Sequence, residues 1–68
     1  MFNYKYLDLY IKIMSYATAI FFKDGTELRA DRFKKHYYIK NVEKDIFVEH
    51  FGDYDVFKSK VIEYFESR

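Results

Sequence analysis

The stretch TAIFFKDGTELRAD, Thr18 to Asp31, decides the fold, and Asp24-Gly25 is its centre. Asp-Gly between strand-forming residues is a strong local hairpin signal. A two-residue type I′ loop needs positive φ at both central positions, and these two residues tolerate it best. With Asp24-Gly25 as the loop, Lys23 pairs with Thr26, Phe22 with Glu27, Phe21 with Leu28, Ile20 with Arg29 and Ala19 with Ala30. Side chains alternate along a strand, so one face of this ribbon carries Ala17, Ala19, Phe21, Leu28 and Ala30. That set is wholly apolar, and its alanines leave room for close packing, which predicts the core face. The other face carries Thr18, Ile20, Phe22, Glu27, Arg29 and Asp31. It mixes two large apolar residues with three charges, which predicts partial exposure.

Working outward from this hairpin, taken as residues 16–31, a second hairpin is read at residues 36–51. His36 to Asn41 and Ile46 to Phe51 are strand-like, and Val42-Glu43-Lys44-Asp45 forms a four-residue loop. In that register His36 opposes Phe51 and Tyr37 opposes His50. Ile46, Val48 and His50 share one face, and Phe47, Glu49 and Phe51 share the other. Arg32 to Lys35 is a polar connection between the two hairpins. Gly52 ends the sheet, and Asp53 or Asp55 caps a helix over residues 54–67. Val56, Phe57, Val61, Ile62 and Phe65, with Tyr64 alongside, give this helix one apolar side. It is expected to cover the alanine-lined face of the first hairpin.

Residues 1–14 read two ways. Leu7, Leu9, Ile11 and Ile13 alternate with polar residues as in a strand. Lys5, Asp8, Lys12 and Ser15 recur at helical spacing, which leaves Tyr6, Leu9, Tyr10 and Ile13 as an apolar stripe and sets Asp8 to pair with Lys12. The helix is preferred, because a strand here would run into the next one with no turn residue between. The predicted fold is a single α+β domain. A small antiparallel sheet of about four strands is covered by a C-terminal amphipathic helix, with the N-terminal segment as a helix or an extra strand.

A chain of 68 residues without cysteine has no disulfide to lean on, and two histidines make a structural zinc site a poor expectation. Eight Phe and eight Tyr are more rings than one small core can use, so some are expected at the surface, where Tyr serves interfaces well. The competing cause is AT-biased codon usage, since Phe, Tyr, Ile, Asn and Lys make up nearly half the chain. Such a bias would suit a low-GC bacterium or its phages and plasmids. No apolar run is long enough to span a membrane, and no secretory leader is recognisable. The expected location is therefore the cytoplasm.

Catalytic chemistry has little to work with. There is no cysteine nucleophile, no glycine-flanked serine and no glycine-rich phosphate loop. His36 and His50 point to opposite faces in the register above and cannot share a metal. Asp53 and Asp55 are read as helix-capping acids. No enzyme activity, metal or cofactor is expected.

Net charge is +1, but residues 29–42 hold five cations against Asp31 alone, and residues 43–67 hold seven acids against three lysines. Two binding surfaces follow. A protein-binding patch would use Ile20, Phe22, Tyr37 and Tyr38, with Arg29 and Arg32 for orientation. A single-stranded nucleic-acid site would use Arg29, Arg32, Lys34, Lys35, Tyr37, Tyr38 and Lys40, with cations on phosphates and rings on bases. The acidic C-terminal third weakens phosphate attraction, so the protein-binding module is favoured. It is expected to be non-catalytic, of the kind a phage or plasmid uses to inhibit or regulate a host protein. Self-association into a homo-oligomer is a related expectation. None of these readings matches a recognised family.

Overall fold

In the computed structural model, which describes residues 1–15 and 18–68, the hairpin turn falls at Asp24-Gly25 but its loop has three residues, not two. The Gly25 N–H donates to the Phe22 carbonyl at 3.1 Å, and the Phe22 N–H donates to the Thr26 carbonyl at 2.8 Å. Gly25 has φ +90, the left-handed conformation that closes a type I turn with a bulge. Asp24 Oδ1 accepts the Thr26 N–H at 3.0 Å and holds the bend. The strands β1 (Ala19–Phe21) and β2 (Glu27–Asp31) therefore pair as Ala19 with Arg29, Ile20 with Leu28 and Phe21 with Glu27.

That one-residue difference turns β1 over relative to the expected register. Ile20 and Phe22 join Leu28 and Ala30 on the covered face, while Ala19 and Phe21 join Glu27, Arg29 and Asp31 on the other. Ala17 lies outside the described residues. The physical reason is burial. The observed register encloses Ile20 where the expected one would enclose Ala19, a gain of several buried methylene-sized groups at ~0.8 kcal/mol each. It also delivers the Phe22 ring to Phe2 and Tyr10, at centroid distances of 5.2 and 5.1 Å.

β3 (His36–Asn41) and β4 (Ile46–Phe51) complete an antiparallel sheet in the order β1-β2-β3-β4. The β3–β4 register is the one its loop implies, with His36 opposite Phe51 and Tyr37 opposite His50. The β2–β3 and β3–β4 loops share one construction. Asp31 Oδ1 accepts the N–H groups of Phe33 and Lys34 at 3.1 and 3.0 Å, and Asn41 Oδ1 accepts that of Lys44 at 3.1 Å. Each loop then closes on a left-handed residue, Lys35 (φ 52) or Asp45 (φ 55). An Asp or Asn side chain that replaces a backbone acceptor makes such turns from ordinary residues.

Both helices lie on one side of the sheet. The N-terminal segment is helical: a 3-10 turn (Tyr4–Tyr6) leads into α1 (Leu7–Ile13). Its buried side is not the Tyr6, Leu9, Tyr10, Ile13 stripe. Leu7, Ile11 and Met14 enter the core, while Tyr6, Leu9 and Ile13 are exposed. Burial of Leu7, Ile11 and Met14 sets this roll, since an exposed ion pair is worth little, and Asp8 then reaches the second helix, α2 (Tyr54–Glu66), and not Lys12. It accepts the Tyr54 hydroxyl at 2.7 Å and pairs with Lys58. Burial first, and this bond second, raise the Tyr54 hydroxyl well above the usual tyrosine range. Asp53 is the α2 cap, accepting the Asp55 N–H at 3.0 Å. Phe57 and Val61 are fully enclosed with Leu28 and Ile39.

Asp24 also links the hairpin tip to the rest of the chain. Its Oδ2 accepts from the Phe2 N–H at 3.5 Å and from Lys44 at 3.3 Å. Burial alone would raise this carboxyl. The bonds from Thr26, Lys44 and Phe2 outweigh it and hold the group at about 2. A depressed folded value means stabilisation that is complete above the unfolded value of 3.8 and lost as pH falls toward 2. Melting temperature measured from pH 7 to pH 2 should drop across that window. Asp24→Asn should be less stable at pH 7, by up to about 2 kcal/mol, and should flatten this part of the profile.

Candidate docking face

With both helices on one side, the opposite face of the sheet has no covering element among the described residues. Its side chains form a grid set by the strand registers. The first row is Phe21, Glu27, Lys40 and Phe47, the second Ala19, Arg29, Tyr38 and Glu49, and the third Asp31, His36 and Phe51. Three phenylalanines stand at the margins with most of their surface in solvent: Phe21 at 72%, Phe47 at 56% and Phe51 at 64%. Phe21 and Phe47 close the two ends of the first row and Phe51 one end of the third, so the rings are spread around the face and its centre is left to polar groups.

The centre of the grid is polar and internally bonded. The Tyr38 hydroxyl donates to Glu27 Oε2 at 2.6 Å, and Arg29 Nε donates to the Tyr38 oxygen at 2.8 Å. Arg29 also reaches Glu27 Oε2 at 3.2 Å, and its guanidinium carbon sits 5.9 Å from the Tyr38 ring centroid. The Tyr38 bond is the main cause that lowers the Glu27 carboxyl, with Arg29 helping against burial. The same bond, with burial, raises the Tyr38 hydroxyl. Glu27 is therefore anionic and Tyr38 neutral at physiological pH, which fixes the donor directions in the triad. Nearby, His36 Nε2 lies 2.7 Å from Glu49, and its ring stacks on Phe51 at 4.0 Å with 3° between the planes. Tyr38 stacks more loosely over Phe47 at 6.1 Å. These contacts hold the exposed rings in position.

The residues expected to bind a partner are divided by this arrangement. Arg29 and Tyr38 lie together at the centre of the open face. Ile20 and Phe22 lie on the covered face, where Phe2 and Tyr10 pack on Phe22. Tyr37 is 7% exposed, with its ring 5.4 Å from Phe57. Arg32 donates to the Ile11 carbonyl in the last turn of α1, where it satisfies a helix-end acceptor. The basic stretch is scattered likewise. Lys34 and Lys35 sit in the β2–β3 loop beyond the third row, Lys40 lies in the first row beside Glu27, and Tyr37 is in the core.

Of the open face, only Arg29, Tyr38 and Lys40 belong to either expected site; the exposed rings Phe21, Phe47 and Phe51, together with His36 and Glu27, belong to neither. The alternation that puts Phe47 and Phe51 on one side of β4 was readable in the sequence. Their importance depends on α2 covering the other side, that of Ile46 and Val48. His36 and His50 face opposite sides of the sheet, and among the described residues no three His, Asp or Glu side chains gather as metal ligands. No described helix is long and apolar enough to cross a membrane. Comparison with protein-family models, curated proteins and solved structures finds no match to this chain.

Proposed function

We propose that this chain is a small, non-catalytic protein-binding module whose docking surface is the open face of the sheet. One observation carries this reading: Phe21, Phe47 and Phe51 stand exposed around the bonded Glu27–Arg29–Tyr38 centre on a face with no covering element among the described residues. Rings at the margins supply apolar anchors and the bonded polar centre supplies orientation, an inversion of the common layout of an apolar centre inside a polar rim.

An aromatic sheet face is also a platform on which single-stranded nucleic acid can stack, but that use needs cations free to meet phosphates. Here the Arg29 guanidinium is committed to Glu27 and Tyr38, Lys40 neighbours Glu27, and Asp31 and Glu49 add negative charge. The charge balance favours a protein surface over a polyanion.

Phe47→Ser combined with Phe51→Ser tests the assignment. Both rings are exposed, so the fold should persist with a stability loss of about 1 kcal/mol or less. Proteins cross-linked to the wild type in its native cell should be lost from this variant and kept by an α1 control, Leu9→Ser with Ile13→Ser. Equal retention by the sheet variant and the wild type would overturn the assignment. So would tight binding of an oligothymidylate that weakens steeply with salt, which would favour nucleic acid.

A further inference from the structure

Resting on the assignment of the open face as a protein-docking surface, we propose that its occupant is a second copy of this chain. The two sheets would stack face to face about a two-fold axis that runs along the strands between β2 and β3.

The grid of side chains carries this inference. Rotation about that axis lays β2 over β3 and β1 over β4 of the second copy, row upon row. Glu27 then meets Lys40 of the second copy, and Asp31 meets its His36. Arg29 meets the face of its Tyr38, and Phe21 meets its Phe47. Each contact occurs twice, as a closed two-fold interface requires. Every acid in β2 finds a basic partner, and the central cation finds a ring.

The other in-plane axis, across the strands, gives the opposite result. It would set Glu27 on Asp31, Arg29 on Arg29 and Glu49 on Glu49 of the second copy. Like charges brought together in this way reject that geometry. Of the two axes, only the one along the strands brings unlike charges together, and it leaves Glu49 over Ala19 of the second copy with its own His36 as partner. The required stacking is ordinary for antiparallel sheets, which pack about 10 Å apart with strands within about 30° of parallel.

Size sets the expected strength. Four strands about 4.8 Å apart and three rows of side chains cover roughly 19 by 20 Å, or about 400 Å² a side. Standard stable interfaces bury about 800 Å² per partner. A face of about half the standard size predicts a weak dimer that assembles only at high protein concentration.

Sedimentation velocity from about 5 to about 500 µM should show the wild type passing from monomer to dimer. Two variants then test the orientation. K40E sets a carboxylate against Glu27 of the second copy, and E27K sets an ammonium group against its Lys40, so each alone should weaken dimerisation about tenfold or more. Mixed together, they restore both ion pairs and should associate about as well as the wild type. F21E and F47R form a second such pair at two exposed positions, with the same expectation. Circular dichroism and a thermal melt verify that each variant is folded.

A wild type that stays monomeric at the top concentration would overturn the proposal. So would a dimer that survives in all four variants, or mixtures that fail to associate. The docking-face assignment fails separately: it falls if the Phe47/Phe51 serine variant keeps every cross-linked protein that the wild type captures, or if the face binds an oligothymidylate tightly and with steep salt dependence.

Discussion

Phe57→Ala is expected to abolish cooperative folding. The Phe57 side chain has no exposed surface, and its ring packs at 5.4 Å from Tyr37 and 6.4 Å from Tyr54, between α2 and the sheet. Truncating a buried phenylalanine costs about 3–5 kcal/mol, through lost transfer free energy and the cavity left behind. A domain of 68 residues has a total stability of roughly 3–10 kcal/mol. The chain has no disulfide that could hold it together. Losing Phe57 also detaches α2, and with it the Asp8–Tyr54 and Asp8–Lys58 contacts to α1. Urea titration followed by circular dichroism should show the wild type unfolding in one transition and the alanine variant with little or no native baseline. Phe57→Leu keeps most of the volume and should fold with a lower melting temperature. A Phe57→Ala protein melting within a few degrees of the wild type would show that α2 is not what holds the sheet.

The sequence and the structure part company at places with identifiable physics. Asp24-Gly25 located the first turn correctly, but Asp-Gly serves both a two-residue loop and a three-residue loop with glycine in the left-handed position. Local chemistry does not choose between them. The choice is made by what the pairing buries: Ile20 in place of Ala19, and a Phe22 ring that meets Phe2 and Tyr10 of the N-terminal segment. The second hairpin was legible because Ile46 and Val48 define a core side that agrees with the loop length.

The helical reading of the N-terminal segment was also correct, but its buried side was not. The segment is apolar around most of its circumference, its side is chosen by which residues the core can take, and its acid finds partners on α2, 46 and 50 residues away. Separation of that kind leaves no trace in local periodicity. The fate of the basic stretch follows from the pleat. Tyr37 and Tyr38 are adjacent in the chain and so face opposite sides of β3, one toward Phe57 and the other toward Arg29. A linear run of cations and rings makes one surface only in a segment that is not a strand.

Asn41 carries the other large expected effect, and it comes from polar bonding, not apolar volume. The side chain is 1% exposed, and all its polar contacts are made to the hairpin tips. Nδ2 donates to the Asp24 carbonyl at 3.2 Å and to Thr26 Oγ1 at 3.0 Å, while Oδ1 accepts the Lys44 N–H at 3.1 Å. One residue thus joins the β1–β2 turn to the β3–β4 turn. Asn41→Ala strips partners from three groups, Thr26 itself being 2% exposed, and each buried group left unpaired costs about 1–3 kcal/mol. With some recovery by entering water, a loss of about 3 kcal/mol is expected, which lowers the melting temperature of a domain this size by roughly 12–24 °C. Asn41→Asp separates shape from chemistry. It retains an acceptor for Lys44 but turns a charged oxygen toward the Asp24 carbonyl, where a donor is required. Burial, with one oxygen set against the Asp24 carbonyl, raises that carboxyl above its unfolded value, so the penalty is fully present at neutral pH and shrinks as pH falls through the raised value and the acid is protonated. The gap in melting temperature between Asn41→Asp and the wild type should therefore be widest at pH 7 and narrow toward pH 4. A gap that is constant with pH would mean that the position tolerates the charge, and that the two turns are held together by something other than Asn41.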